Sequence, residues 1–276
     1  MLSYRHAFHA GNHADVLKHW VLSLCLQYLK NKPKPIFYLD THAGSGRYSL
    51  SDAFAEKTGE YQGGIGRLWQ AEAPAVFSDY LQVVQQENGA GLAHYPGSCV
   101  IAARLLRADD QLCLAEMHST DQRLLRANLG RDKRVRIIEG DGFGQLKAAL
   151  PPASRRGLVL IDPSYELKSD YGQVLEALKA GLQRFATGTY LVWYPLLASE
   201  QVEQFRARLP KIGAGKWLNV TLSVSAKPQG HGMYGSGMLV INPPYTLREN
   251  LNAGLPWLSE RLALDDQAGY QIQFQD

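Results

Sequence analysis

The sequence predicts an α/β fold built on a mainly parallel sheet, and three observations carry that expectation. Short apolar runs alternate with helical periods along most of the 276 residues. The runs have the length of buried strands rather than of buried helices. Glycines and acids gather directly after the runs, on the edge where open α/β sheets bind ligands.

The first helix covers Asn12 to about Lys30, with Val16, Leu17, Trp20, Val21, Leu24, Cys25, Tyr28 and Leu29 on one helical period. Asn31 through Pro35 ends it. Strands are expected at Ile36–Leu39, Leu112–Ala115, Val135–Ile138, Gly157–Ile161, Tyr190–Trp193, Trp217–Val224 and Met238–Ile241. Helices are expected at Val100–Arg107, Thr120–Leu129, Tyr171–Phe185 and Glu200–Leu209. This alternation implies right-handed crossovers and a parallel sheet. The last two of the seven strands could pair, the final one running antiparallel. Residues 49–95 interrupt the pattern with helical stretches around Ile65–Gln70 and Ala75–Gln86, and read as an inserted helical subdomain of a single domain over 1–276.

Ordinary apolar content excludes disordered and fibrous classes. No apolar run approaches the roughly 18 residues of a membrane span, and the opening residues lack a signal-peptide core. Cys25, Cys99 and Cys113 share no close spacing, which disfavours a disulfide framework or a zinc knuckle and suggests a reducing, cytoplasmic setting. The formal net charge is only +3. However, Arg123, Arg126, Arg131, Lys133, Arg134 and Arg136 cluster, and Arg155 and Arg156 precede the strand Gly157–Ile161. A basic face near an active site suits a phosphate-rich substrate, although a solvated helix face has the same composition.

Successive strands end in chemistry. Gly44 and Gly46 follow the first and allow a tight turn close to a ligand. Glu116 closes the next and could accept ribose hydroxyls, although it lies farther along the chain than the dinucleotide fingerprint requires. Asp141, with the Gly142 backbone beside it, follows the third and could receive an adenine amino group; each acid could equally be a helix N-cap. The fourth ends in Asp162-Pro163-Ser164-Tyr165. There a carboxylate and the Pro163 carbonyl can each accept one N–H of a planar amine, and the Tyr165 ring can stack on the base. A plain Pro-containing turn has the same sequence signature. Jointly, the four strand ends reproduce the layout of S-adenosylmethionine-dependent methyltransferases acting on an amine.

The amino-terminal segment is dense in histidine. His9 and His13 are four apart, but Gly11-Asn12 interrupts a helix between them and a metal-binding motif is not met, so no metal is expected. His6 belongs to an aromatic and histidine arm that could cover a nucleobase. Lys18 and His19 could face the carboxylate of the cofactor.

Long strings then resemble the RlmJ-type 23S ribosomal RNA adenine-N6 methyltransferase family. They are Ser3-Tyr-Arg-His6, Phe8-His-Ala-Gly-Asn-His-Ala-Asp-Val-Leu-Lys-His19, Tyr38-Leu-Asp-Thr-His-Ala-Gly44, Thr58-Gly-Glu-Tyr61, Tyr95-Pro-Gly-Ser98, Ser154-Arg-Arg-Gly157, Phe185-Ala-Thr-Gly-Thr-Tyr190 and Ile241-Asn-Pro-Pro244. The resemblance implies a Rossmann-like sheet with a small helical insertion, S-adenosyl-L-methionine as methyl donor and no metal. It implies His19, His42, Ser98, Glu116, Asp141 and Gly142 around the cofactor, Asp162 as catalytic residue and Tyr4 as a contact to substrate RNA. The substrate is expected to be an unpaired or flipped adenine of 23S rRNA, and the protein a monomer. Ser164 departs from the family pattern, which has a second proline there.

Asn242-Pro-Pro-Tyr245 matches the amine-binding pattern more literally, but an antiparallel final strand would aim it away from the cofactor edge. A DNA adenine-N6 or guanine-N2 methyltransferase, and a non-catalytic RNA-binding protein, are the competing readings.

Overall fold

The computed structural model describes residues 6–51, 59–212, 215–230 and 232–276. Helix α1, His13–Lys30, starts where Asn12 accepts from the backbone N–H groups of Ala14 and Asp15. This side-chain cap satisfies donors that the first helical turn leaves open.

Strands β1 (Phe37–Asp40), β4 (Gln111–Glu116), β5 (Val135–Glu139), β6 (Gly157–Ile161), β7 (Thr189–Leu197), β8 (Trp217–Ser223), β9 (Met233–Ile241) and β10 (Gly269–Gln275) form one sheet. Their order is β10-β8-β9-β7-β6-β1-β4-β5. The ladders from β5 through β7 are parallel, whereas β9 runs antiparallel to both β7 and β8. The seven expected strands are therefore joined by an eighth, β10, antiparallel to β8 along the sheet edge. Its partly exposed Tyr270, Ile272 and Phe274 alternate with glutamines, the period of a half-solvated edge strand.

Two strands are longer than their apolar runs. In β7 the run continues through Pro195, and in β9 it is diluted by Gly235, Ser236 and Gly237. Gly237 stands opposite Tyr194, and a Cβ there would lie 2.2 Å from the tyrosine ring. Glycine thus makes room for an aromatic ring lying across its own strand.

Helices cover both faces. On one, α1 packs with α2 (Ser78–Gln86), α3 (Ser98–Leu105) and α8 (Leu247–Leu262) around Leu17, Trp20, Phe77, Tyr95 and Leu255. On the other, α5 (Gly142–Ala149), α6 (Lys168–Arg184) and α7 (Glu200–Arg208) pack around Leu146, Val174, Leu178, Tyr190 and Phe205. α4 (Ser119–Leu129) links β4 to β5. α8 has no counterpart among the expected helices. Pro256 obscures it, yet Leu247, Leu251, Leu255, Leu258 and Leu262 bury one helical stripe.

Short strands β2 (Arg47–Ser49) and β3 (His94–Pro96) pair antiparallel and bring the two ends of residues 49–95 together. The described part of that stretch contributes Ile65, Leu68, Phe77, Tyr80 and Val83 to the α1 core.

Three of the basic residues, Arg126, Arg134 and Arg156, are engaged by neighbouring groups of the chain. Arg155 and Arg156 precede β6, so they lie at the strand end opposite Asp162, and the Arg156 guanidinium is held by backbone carbonyls of Leu29 and Lys34. Arg134 is tied to Asp132 and to the carbonyls of Ala103 and Leu106, and Arg126 to Glu139. These side chains bind neighbouring backbone and acids, which sequence clustering does not show.

Candidate active site

One cavity of about 1240 Å³ opens over the carboxyl ends of the parallel strands. Its wall includes His6, Lys18, His19, His42, Gly44, Ser98, Glu116, Asp141, Gly142, Asp162, Pro163 and Tyr165. The structure thus brings twelve of the thirteen expected site residues to one place. Tyr4, like the rest of Ser3–Arg5 and Thr58, lies outside the described residues.

The turn after β1 is built by close approach. Gly44 has φ +60°, and a Cβ on it would lie 2.1 Å from the Tyr48 hydroxyl. Its N–H donates to Glu116 Oε2 at 2.8 Å, while Glu116 Oε1 accepts from His118 N–H at 2.7 Å. Burial raises the Glu116 pKa, partly offset by these N–H groups. Gly142 is packed still more tightly, since a Cβ would meet the Thr41 carbonyl at 1.7 Å. Asp141 is the N-cap of α5, accepting from Phe143 N–H and Gly144 N–H at 3.0 and 3.1 Å.

Beneath the turn, Asp40 accepts from the Tyr38 and Ser98 hydroxyls at 2.7 and 2.6 Å and from His42 N–H at 3.2 Å. Burial pushes its carboxyl up to about 6 even though all three donors pull the other way. The His42 ring packs edge-on against Phe143, and burial pushes its pKa down to about 4. His19 is bonded to the Tyr95 hydroxyl at 2.7 Å, and burial likewise holds it neutral.

The amino-terminal arm and α1 supply a charged chain that the sequence reading did not assemble. Asp15, 2% exposed, accepts from His6 Nε2 and Gly11 N–H, both at 2.9 Å, and from Lys18 Nζ at 2.8 Å. The same ammonium lies 2.5 Å from Asp162 Oδ2. Burial alone would lower the Lys18 pKa, but Asp15 and Asp162 more than offset it and hold the amine protonated. Burial alone would raise Asp15, but His6 and Lys18 hold it well below the usual carboxylate range. Lys18, expected to face a cofactor carboxylate, is instead clamped between two carboxylates of the protein.

Tyr165 has φ +54° and donates its hydroxyl to the Trp193 carbonyl at 2.6 Å. Its ring packs against Tyr171, Trp193 and Phe205, which leaves it 8% exposed on the cavity wall. Asn242 is elsewhere. It follows antiparallel β9 at the opposite sheet edge, its amide donating to the carbonyls of Ala186 and Gly188. His9 is bonded to Glu60 at 2.9 Å rather than directed at His13.

A carboxylate with one oxygen held by a buried ammonium can receive an amine hydrogen on its other oxygen. With a carbonyl and an aromatic wall beside it, such a group orients a planar amine rather than cleaving a bond. No helix among the described residues is long and apolar enough to cross a membrane.

Residues 33–275 match the family model described as ribosomal RNA large subunit methyltransferase D, RlmJ. The chain is 52% identical over 264 residues to the ribosomal RNA large subunit methyltransferase J of Escherichia coli K12, covering 95% of this chain and 94% of that one. It is 48% identical over 277 residues to the protein of the same name from Haemophilus influenzae, covering 99% of each. A crystal structure of a Legionella pneumophila protein has a TM-score of 0.89 at 38% identity, covering 96% of this chain and 98% of that one.

Proposed function

The chain belongs to the RlmJ family of ribosomal RNA large subunit methyltransferases, and from that premise we propose that it methylates the N6 amine of an adenine in 23S rRNA. The observation that carries the chemistry is Asp162 at the end of β6, anchored by Lys18 in the same cavity as the glycine turn. We further infer S-adenosyl-L-methionine as the cofactor. The residues fit it: at Gly44 and Gly142 a Cβ would collide with neighbouring atoms, leaving backbone at the cavity wall, and Glu116 stands at the end of the adjacent strand. Gly44, Ser98, Glu116, His42, His19, Asp141 and Gly142 would hold it. When bound, it supplies a methyl group on a sulfonium sulfur.

The adenine amine is a weak nucleophile because its lone pair is delocalised into the ring. With Oδ2 engaged by Lys18, Asp162 receives one amine hydrogen on Oδ1 and the Pro163 carbonyl receives the other. This favours a more tetrahedral nitrogen and aims its lone pair. The amine becomes acidic only after it gains the methyl, so Asp162 takes the proton late. Tyr165 stacks on the base, held by its bond to the Trp193 carbonyl. Tyr4 and His6 contact the RNA, with His6 fixed through Asp15.

An adenine in a duplex has its amine paired and stacked, so the substrate is unpaired or flipped. We read the chain as one methyltransferase domain with residues 49–95 inserted, a division supported by the β2–β3 pair that closes the insertion. A cytoplasmic setting accords with the three buried free cysteines, and we read the protein as a monomer. Mass spectrometry of 23S rRNA from cells lacking the protein tests the function. One N6-methyladenine should disappear and return when the gene is restored, and an unchanged modification profile would refute the reading.

A further inference from the structure

Two tyrosines from residues 49–95 reach the cavity wall through a chain of hydroxyls. Tyr80 of α2 and Tyr95 of β3 are fully buried, and their hydroxyl oxygens lie 3.0 Å apart. Tyr95 then meets His19 Nδ1 at 2.7 Å. Burial holds the His19 ring neutral, so one ring nitrogen carries a hydrogen and the other a lone pair. The order of donors decides which. Among the described residues, Tyr95 is the hydrogen-bond partner of the Tyr80 hydroxyl. If Tyr80 donates to Tyr95 and Tyr95 to His19 Nδ1, every hydrogen in the chain has an acceptor. In the reverse order the Tyr80 O–H is buried without one, which is unfavourable.

Asp15 gives the same answer. Its Oδ1 lies 4.0 Å from His19 Nε2, and a lone pair on Nε2 would face that anionic oxygen, whereas a hydrogen there is attracted. That hydrogen stays uncommitted, because 4.0 Å is beyond hydrogen-bond reach and Oδ1 already accepts from Lys18 at 2.8 Å. His19 is 1% exposed, and Nε2 is not among the enclosed atoms without a partner, so the little surface the side chain keeps includes this nitrogen. Asp15, Lys18 and His19 all belong to the cavity wall.

We propose that Tyr95, backed by Tyr80, is a positioning residue for the cofactor: it holds His19 as the Nε2–H tautomer, so that the ring offers a donor to the carboxylate of the cofactor's amino-acid end. The proposal rests on the S-adenosyl-L-methionine reading above and adds the two residues that set the chemistry of the ring. A carboxylate only accepts hydrogen bonds. The Nδ1–H tautomer would turn a lone pair toward it and repel, whereas Nε2–H attracts. Because the donor is fixed before the ligand arrives, binding does not require the ring to reorganise. The network also gives residues 49–95 a part in ligand binding besides their packing on α1.

The test measures tautomer and affinity separately. In the full-length protein made with nitrogen-15-labelled histidine, long-range proton–nitrogen NMR should place the His19 hydrogen on Nε2, the signal being assigned by its loss in His19→Gln. A hydrogen on Nδ1 would overturn the proposal, a result that does not depend on how any Tyr95 variant folds. Calorimetry then compares S-adenosylhomocysteine with its decarboxylated analogue, which keeps the nucleoside, sulfur and amine but lacks the carboxylate. Tyr95→Phe keeps the ring and removes the hydroxyl. It should weaken S-adenosylhomocysteine by about tenfold, the size of one lost hydrogen bond, and leave the affinity of the analogue unchanged. Equal weakening of both ligands, or of neither, would overturn the proposal, because a packing role does not distinguish them. A parent that binds neither compound would instead sink the cofactor reading itself, and the role of Tyr95 with it, while the tautomer could still be read by NMR.

Discussion

Lys18 and Asp162 are 144 positions apart in the chain and meet at 2.5 Å, with Asp15 2.8 Å from the same ammonium. The first turns of α1 thus fix the carboxylate that ends β6. One cation shared by two carboxylates, within side chains at most 13% exposed, is a buried network rather than a surface pair.

Breaking that network should separate stability from catalysis. Lys18→Met leaves Asp15 buried without its cation and should cost about 3–5 kcal/mol in urea denaturation. Lys18→Met combined with Asp15→Asn removes the stranded charge, so part of the stability should return. Methyl transfer should remain lost, because nothing then orients Asp162. Recovery of activity in the double variant would show that Lys18 matters only for folding.

Asp162→Ala should lower single-turnover methylation by on the order of a hundredfold or more. Asn242→Ala should leave the rate unchanged, because its amide serves Ala186 and Gly188 at the far sheet edge. A folded Asn242→Ala protein without activity, beside an active Asp162→Ala, would reverse the assignment.

Glycine substitutions should diverge by position. Gly142→Ala places a Cβ 1.7 Å from the Thr41 carbonyl and should abolish cofactor binding by calorimetry. Gly172, exposed within α6, has open space around it. There alanine should add up to about 1 kcal/mol of stability by helix propensity and leave methylation intact.

His13 gives a pH signature. Burial holds its pKa at about 4 against an ordinary 6.5, partly offset by Glu60 and Asp15. Between those values the unfolded chain binds a proton that the folded chain does not. Stability from this group is therefore complete above about pH 6.5 and is lost as pH falls toward about 4, by on the order of 3 kcal/mol. His9 acts oppositely. Its bond to Glu60 raises its pKa, so its contribution is present at low pH and is lost as pH rises through the folded value. His13→Gln removes only the first effect, and the stability of the variant relative to the parent should rise on acidification from about pH 7 to about pH 4. A constant difference across that range would contradict the neutral, buried assignment.

Local pattern carried most of the site. Gly44, Glu116, Asp141 and Asp162 were readable because each directly follows an apolar strand, and parallel strands deliver their carboxyl ends to one edge. The rejection of Asn242 also followed from strand direction. Less readable were β10, whose alternation is half polar, and α8, whose leucine stripe is interrupted by Pro256. The arginine cluster suggested a basic face, but several of its guanidinium groups bind acids and carbonyls brought near only by folding.

By itself the sequence determined the α/β class, the strand ends that carry chemistry and the family strings, because these depend on side-chain period and on neighbours within a few residues. Only the tertiary structure decided that Asp15 and Lys18 anchor Asp162, and that Trp193 of β7 stands beside it in the sheet. Those relationships depend on helix–sheet packing and on the register between β6 and β7, which bring together residues that the chain keeps far apart.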